Sequence, residues 1–230
     1  MIDIQLVDCL EGLRALDDQS VDYVFADPPY GINLQPQFTA WAPVPNDDLT
    51  AERYEAWIGE VLGELRRVLK PNTAMHLCAG WSTADVVMRA LRGAAFTIKG
   101  CVVWAKDSPG LGWHLRRQHE FVFLAFKGAP PKPARAPSDV WHISRVPGRR
   151  LLHICQKPEE LVERAMLVYT KPGDLVLDPF CGSGTTPAVA RRLGRRCLAM
   201  EVDPEVYRVA VARVAPNPDS PDVDSVNLTP

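Results

Sequence analysis

Apolar positions along the chain fall into two periods. Short runs rich in Val, Ile and Phe, near residues 2–7, 21–26, 73–79, 100–105, 120–126, 174–178 and 196–201, read as strands. Between them, residues 50–69, 82–92, 158–170, 185–194 and 204–214 carry apolar side chains at helical spacing, and Thr50 offers the first of these helices an N-cap. Most of these runs are mainly apolar, as strands buried on both faces are, while the amino-terminal run alternates like a half-buried strand. The pattern predicts an α/β protein: a single doubly wound, mostly parallel seven-stranded sheet with helices on both faces.

Two stretches break the alternation. Residues 31–48 are polar and contain prolines, and residues 128–150 are basic and contain Pro130, Pro131, Pro133, Pro137 and Pro147. Connections of that length in a compact domain serve function or move. From Pro216 the chain is rich in proline and aspartate and poor in apolar side chains, too poor to offset its ordering entropy, which predicts a disordered tail over 216–230. Residues 1–215 are then enough for one domain, with 127–152 as an inserted basic loop.

Composition narrows the class. With 47% hydrophobic and 23% charged residues, and no apolar run long enough for a bilayer, the expectation is a soluble protein with no membrane partner. Acids stand where a signal peptide would be basic, and the six cysteines include no Cys-x-x-Cys pair. Both observations point to the cytoplasm, without disulfides and without a metal site. The formal net charge is −2, so any hint of a polyanionic partner is local: Lys127 to Arg150 holds six basic residues against one acid.

Chemistry concentrates in two turns. The first to consider is Gly173-Asp-Leu-Val-Leu-Asp178-Pro-Phe-Cys-Gly182-Ser-Gly184-Thr-Thr186, a buried strand that ends at Asp178 and turns through two glycines into a helix. Glycines there let backbone amides approach a ligand. A second strand, Arg196 to Glu201, ends in an acid 23 residues beyond Asp178, about where nucleotide-binding units place the carboxylate that grips ribose hydroxyls. The dinucleotide fingerprint fails, because Pro187 takes the place of its third glycine. Asp178 would repel a pyrophosphate, but it can pair with an amino group, as on the methionine end of S-adenosylmethionine. An ordinary strand-to-helix turn is the competing reading, and the spaced acid weighs against it.

The other turn is Asp27-Pro28-Pro29-Tyr30, directly after the strand Val21–Ala26. Each proline fixes its own φ and keeps the preceding residue extended, so the turn is stiff. Neither proline has an N–H, which leaves the Pro28 carbonyl and the Asp27 carboxylate as acceptors for the two hydrogens of an arylamine. Accepting both hydrogens localises the nitrogen lone pair for in-line attack on a sulfonium methyl. Tyr30 can stack on a base extruded from the duplex. On its own, Pro-Pro after a strand is also a common stop signal.

Together the two motifs resemble those of the amino-group DNA methyltransferases, and their order, catalytic tetrad first, is that of the permuted beta group. Asp8-Cys9-Leu10-Glu11-Gly12-Leu13, Gln156-Lys157-Pro158 and Glu201-Val202-Asp203 are further matches, and the likeness spans residues 5–127 and 153–213. The resemblance implies a circularly permuted class I methyltransferase sheet with one reversed strand, and S-adenosylmethionine as cofactor. It implies that Asp8 and the Cys9 backbone hold the cofactor's adenine and that Glu201, with Val202, holds its ribose. Asp178, Phe180, Cys181 and the turn Gly182-Ser183-Gly184-Thr185 would hold its methionine part, with Gln156 and Lys157 alongside. Asp in the first tetrad position implies N6 of adenine; Ser there would suggest N4 of cytosine. The chain departs from the family between Lys127 and His153, a short segment where many members carry a larger target-recognition region, and at His153-Ile-Cys155, which replaces a histidine-proline-threonine.

DNA is the partner implied, with a second copy of the chain and a cognate restriction enzyme as further candidates. The basic loop 127–150, containing Trp141 and His142, is the expected contact, through Arg145, Arg149 and Arg150; Arg116 and Arg117, after Gly110-Leu-Gly112-Trp113, could close over the base. Trp57, Trp81 and Trp104 are expected in the core. Three functions stay open: an adenine methyltransferase, an N4-cytosine methyltransferase, and a non-catalytic S-adenosylmethionine- or DNA-binding regulator, which the intact tetrad disfavours.

Overall fold

The computed structural model describes residues 1–33, 44–110, 114–153 and 155–215. The predicted tail from Pro216, Ile154, residues 34–43 and the Leu111–Trp113 centre of the 110–117 connection lie outside the described residues.

Among the described residues one sheet of eight strands organises the fold: β1 (Ile2–Leu6), β2 (Val21–Ala26), β3 (Leu69–Ala79), β4 (Thr97–Ala105), β5 (His119–Lys127), β6 (Val140–His142), β7 (Leu175–Asp178) and β8 (Arg196–Glu201), in the spatial order β1-β8-β7-β2-β3-β5-β4-β6. The seven predicted strands are all present. The eighth, β6, is a three-residue edge strand inside the loop read as irregular, and its shortness hides its alternation in the sequence. Pairing among these strands is parallel except where β5 runs against β3 and β4, the one reversed strand that the resemblance implies.

The helices are α1 (Cys9–Arg14), α2 (Ala51–Val68), α3 (Ala84–Gly93), α4 (Glu159–Tyr169), α5 (Thr185–Arg192) and α6 (Pro204–Val214). Five match the periodicity, and Thr50 caps α2 as expected by accepting from the Arg53 amide at 3.4 Å. The sixth, α1, is too short for its period to show; it starts where Asp8 Oδ1 accepts the Leu10 and Glu11 amides at 2.9 and 3.3 Å. α1, α2 and α3 pack together over one face, with Leu13, Ile58, Leu62 and Leu91 in that core. α4, α5 and α6 pack over the other, with Leu161 and Met166 of α4 in one core with Tyr23 and Phe25 of β2. β2 lies between the two cores and is buried at five of its six positions, hence its continuous apolar run.

This order sets the site. From β2 the chain crosses through α2 to β3 on one side, and from β7 it crosses through α5 to β8 on the other, so β2 and β7 are adjacent strands whose connections diverge. In an open α/β sheet ligands bind in the crevice that such a divergence leaves outside the carboxyl ends of the strands.

Candidate active site

Both motifs end at that crevice. Asp27 follows β2 and Asp178 ends β7 beside it; Glu201 ends β8, and Asp8 follows β1. A cavity of about 720 Å³ runs along these strand ends. Its walls include the whole tetrad Asp27 to Tyr30 and, of the residues read from the sequence, Asp8, Cys9, Gln156 and Lys157, then Asp178, Phe180, Cys181, Gly182, Ser183 and Thr185, then Glu201 and Val202. Gly184 is the exception. It caps α5 at φ 79°, and a Cβ there would meet Ala210 at 3.1 Å, so this glycine serves the close packing of α5 on α6 rather than the cavity wall.

At the cofactor-type end, Glu201 gathers backbone donors: Oε2 accepts the Gly182 amide at 3.0 Å, and Oε1 accepts Val202 and Asp203 at 2.9 Å each. Burial still pushes its carboxyl above the usual range. Asp178 accepts the Phe180 amide at 2.9 Å, and burial pushes it up to about 7. Ser183 is buried in the wall, and among the described residues its Oγ has no hydrogen-bond partner, a polar group whose desolvation a ligand would offset. The Thr185 hydroxyl is already engaged, donating to the Lys157 carbonyl at 3.2 Å, and Gln156 Oε1 accepts the Leu152 amide at 2.8 Å.

At the tetrad end the geometry is that of a charged cluster. Lys157 Nζ stands 2.5 Å from Asp27 Oδ2 and 3.4 Å from Glu120 Oε2, and 5.3 Å from the centre of the Tyr30 ring. The Tyr30 hydroxyl lies 3.0 Å from Asp27 Oδ1 and 2.9 Å from Glu120 Oε2, and Lys106 Nζ is 2.5 Å from Glu120 Oε1. Burial opposes every charge here. It raises the Asp27 carboxyl, which Lys157 pulls back only in part. It also works against Glu120 and Lys157, but their oppositely charged neighbours outweigh it: Glu120 sits down at about 2 and Lys157 holds its proton well above the ordinary value. Gly80, just past β3, keeps room for the Tyr30 ring; a Cβ there would lie 3.1 Å from it.

Glu120 and Lys106 belong to no motif that the sequence offers. β5 is reversed, so its first residues emerge beside the carboxyl end of β4, with His119 opposite Ala105. The available signal is two charges flanking one connection between apolar strands.

The basic residues divide. Arg116 and Arg117 are exposed in the connection from β4 to β5; Arg116 Nε donates to the Gly110 carbonyl at 3.0 Å. Arg145 donates to Ser108 Oγ at 2.8 Å, and Arg149 and Arg150 are exposed in a single 3-10 turn that leads to the cavity residue His153. Lys127, by contrast, leaves β5 at the opposite edge and donates to the carbonyls of Arg66 and Leu69 at 2.6 and 2.5 Å. Trp141, expected in a DNA-reading loop, is a core residue of β6, its Nε1 bound to the Ser138 carbonyl at 2.7 Å. Two of the tryptophans expected in the core are also placed differently. Trp57 reaches the cavity wall, 5.8 Å ring to ring from Phe180, and Trp81 is 56% exposed with the Arg117 guanidinium 5.6 Å from its ring centre; Trp104 is buried.

Known proteins are similar to this chain in sequence and in fold. The family described as DNA methylase matches residues 21–212. The DNA adenine methyltransferase YhdJ of Escherichia coli (strain K12) is 32% identical over 90% of this chain and 80% of its own. The fold is similar to that of the PvuII DNA methyltransferase (cytosine-N4-specific), with a TM-score of 0.78 at 21% identity over 95% of this chain and 88% of that one. It is also similar to M1.HpyAVI, solved as a complex with SAM, with a TM-score of 0.71 at 23% identity over 94% and 100%.

Proposed function

The chain belongs to the DNA methylase family, and on that footing we propose that it moves a methyl group from S-adenosylmethionine to the N6 amino nitrogen of adenine in DNA. One observation carries the proposal: a stiff Asp-Pro-Pro-Tyr turn and a glycine turn flanked by Asp178 and Glu201 open into the same cavity. The adenine assignment is supported by Asp27 in the first tetrad position and by the name of the YhdJ relative.

The cavity fits the cofactor by its donors and acceptors. Asp178 and the unpartnered Ser183 hydroxyl suit an amino acid head, and Glu201 suits ribose hydroxyls. Asp8 and Cys9 then border the adenine, Phe180, Cys181, Gly182, Thr185, Gln156 and Val202 line the rest, and Lys157 ties this wall to Asp27. When bound, the cofactor supplies an electrophilic methyl on a positively charged sulfur.

The chain's own residues do the rest. The Asp27 carboxylate and the Pro28 carbonyl accept the two amino hydrogens, leaving the nitrogen lone pair free to attack. No backbone N–H of residues 28 or 29 competes for either acceptor. The Tyr30 ring, seated against Gly80 and tethered through its hydroxyl, stacks on the extruded base, an interaction worth about 1–3 kcal/mol. Arg116, Arg117, Arg145, Arg149 and Arg150 hold backbone phosphates around the mouth, and exposed Trp81 offers the DNA an aromatic face.

The test is a nucleoside digest of unmethylated duplex DNA after incubation with the protein and methyl-labelled cofactor. Label in N6-methyladenine is expected. Label only in N4-methylcytosine would reassign the base, and no label would leave a non-catalytic binding protein.

A further inference from the structure

Glu120 lies in the middle of the catalytic cluster without belonging to the tetrad. Its Oε1 meets Lys106, and its Oε2 meets both the Tyr30 hydroxyl and Lys157. On its other side the same Tyr30 hydroxyl meets Asp27 Oδ1. A phenol carries one hydrogen and two lone pairs, yet this one stands between two carboxylate oxygens at hydrogen-bond distance. With both carboxylates ionised, one of the two approaches sets lone pair against lone pair. With one proton added to Asp27, both become hydrogen bonds in a row: Asp27 donates to Tyr30, and Tyr30 donates to Glu120.

The charges fix the direction of that row. Glu120 lies between two ammoniums, Lys106 and Lys157, which hold it ionised, whereas Asp27 has Lys157 alone and lies near Asp178. Among the described residues the further titratable neighbours are the thiols of Cys78 on β3 and Cys155 ahead of α4 and the Tyr54 phenol on α2, all kept neutral by burial, and the His153 imidazole beside Lys157, which burial pushes down. The site therefore has a place for one proton more than the doubly ionised pair carries, and that place is on Asp27.

We propose that Glu120 is a positioning residue that, through the Tyr30 hydroxyl, prepares Asp27 to receive the proton released by methyl transfer. The inference rests on the reaction assigned above. As the N–CH3 bond forms, the S–CH3 bond breaks and its electron pair stays on sulfur. The amino nitrogen then carries a positive charge and sheds one of its two hydrogens as a proton. Asp27 takes that proton and turns it to Tyr30 Oη, while Tyr30 keeps its own hydrogen directed at Glu120 Oε2. The row ends as neutral acid, neutral phenol and one carboxylate, and Asp27 loses the proton to water once the product has left.

The experiment compares Glu120→Gln, Tyr30→Phe and the double variant on unmethylated duplex DNA with labelled cofactor. Each single change is expected to lower kcat by about 10- to 100-fold, less than the loss of a proton-transfer group itself because Asp27 remains, and to leave KM for DNA and cofactor affinity unchanged. The double variant should fall no further than the worse single one, because the two act along one row. Removing the Glu120 charge makes Asp27 easier to ionise, so the acid limb of kcat should move to lower pH in Glu120→Gln. A carbon-13 titration of the Asp27 carboxyl in protein without cofactor or DNA should show its midpoint falling in the same variant.

Unchanged kcat, a loss confined to KM, multiplying losses in the double variant or an unmoved Asp27 midpoint would each overturn the inference. A wild-type protein that transfers no methyl overturns the reaction instead, and the carboxyl titration still decides the coupling. If Glu120→Gln unfolds, Tyr30→Phe, which keeps the ring, carries the kcat test.

Discussion

Asp178 ends β7 beside Asp27 and within reach of Glu201, and burial with these like charges pushes its carboxyl up to about 7. A ligand with a positively charged amino group needs that carboxyl ionised, so binding and deprotonation are coupled. Cofactor affinity should therefore weaken as pH falls through 7, and calorimetry in buffers of different ionisation enthalpy should register proton release on binding near that pH. Affinity that stays flat from pH 8 to pH 6 would remove Asp178 from the amino group. This residue was legible in the sequence, because an acid at the end of an apolar run, one glycine turn away from a helix, can hardly point elsewhere. Glu201 was legible through its spacing from Asp178. Glu120 was not: a glutamate near the start of a strand is common, and its meaning comes only from Tyr30, Asp27 and Lys157, which reach it from other strands and from a segment 37 residues away along the chain.

At the scale of elements, strand existence was readable and strand direction was the informative part. The run 120–126 announces β5, but only its reversal between β3 and β4 brings Glu120 to the catalytic edge and sends Lys127 to the far one. That reversal divides the basic loop in a way that counting charges could not. Lys127 closes the carboxyl end of α2 through backbone carbonyls, while Arg149 and Arg150 stand exposed beside the cavity segment. Lys127→Met should cost about 1–2 kcal/mol of folding stability and leave DNA affinity alone. Arg149→Ala with Arg150→Ala should leave thermal unfolding unchanged, weaken DNA binding and reduce the salt slope by about one unit for each phosphate that the protein no longer neutralises. Denaturant titration and binding at several salt concentrations separate the two. An unaltered slope in the arginine pair would exclude those side chains from the DNA interface, and an intact stability in Lys127→Met would deny it the capping role. β6 escaped the sequence reading for a related reason: three residues are too few for alternation, and Trp141 at its centre looks like a base reader until the strand turns it into the core.

For the whole molecule, the order of motifs in the chain and their order in space are independent, and the sheet explains why. β1 starts, and α6 ends, at the edge opposite the cavity: the Met1 carbonyl accepts the Cys197 amide at the start of β8, and Arg191 in the last turn of α5 donates to the Val214 and Ala215 carbonyls at 2.6 and 3.1 Å. Both ends of the described fold thus come out together, with α6 packed on β1. No strand of the site depends on a covalent break at that point. The loop from Gly128 to Asp139, which contains no helix or strand, offers another place to cut, again on the far edge from the cavity at its start. A permutant that begins at Arg135, joins Ala215 to Met1 through a short Gly/Ser linker and ends at Ala134 would carry the cofactor turn first and the tetrad second. It should unfold in one cooperative transition and still transfer methyl groups, since termini that lie close can be exchanged without moving strand neighbours. Thermal unfolding followed by label incorporation checks both. A permutant that folds and binds cofactor but transfers nothing would show that the basic loop must be continuous for DNA to reach Asp27, and would shift target recognition from the arginines at the cavity mouth to the integrity of residues 127–152.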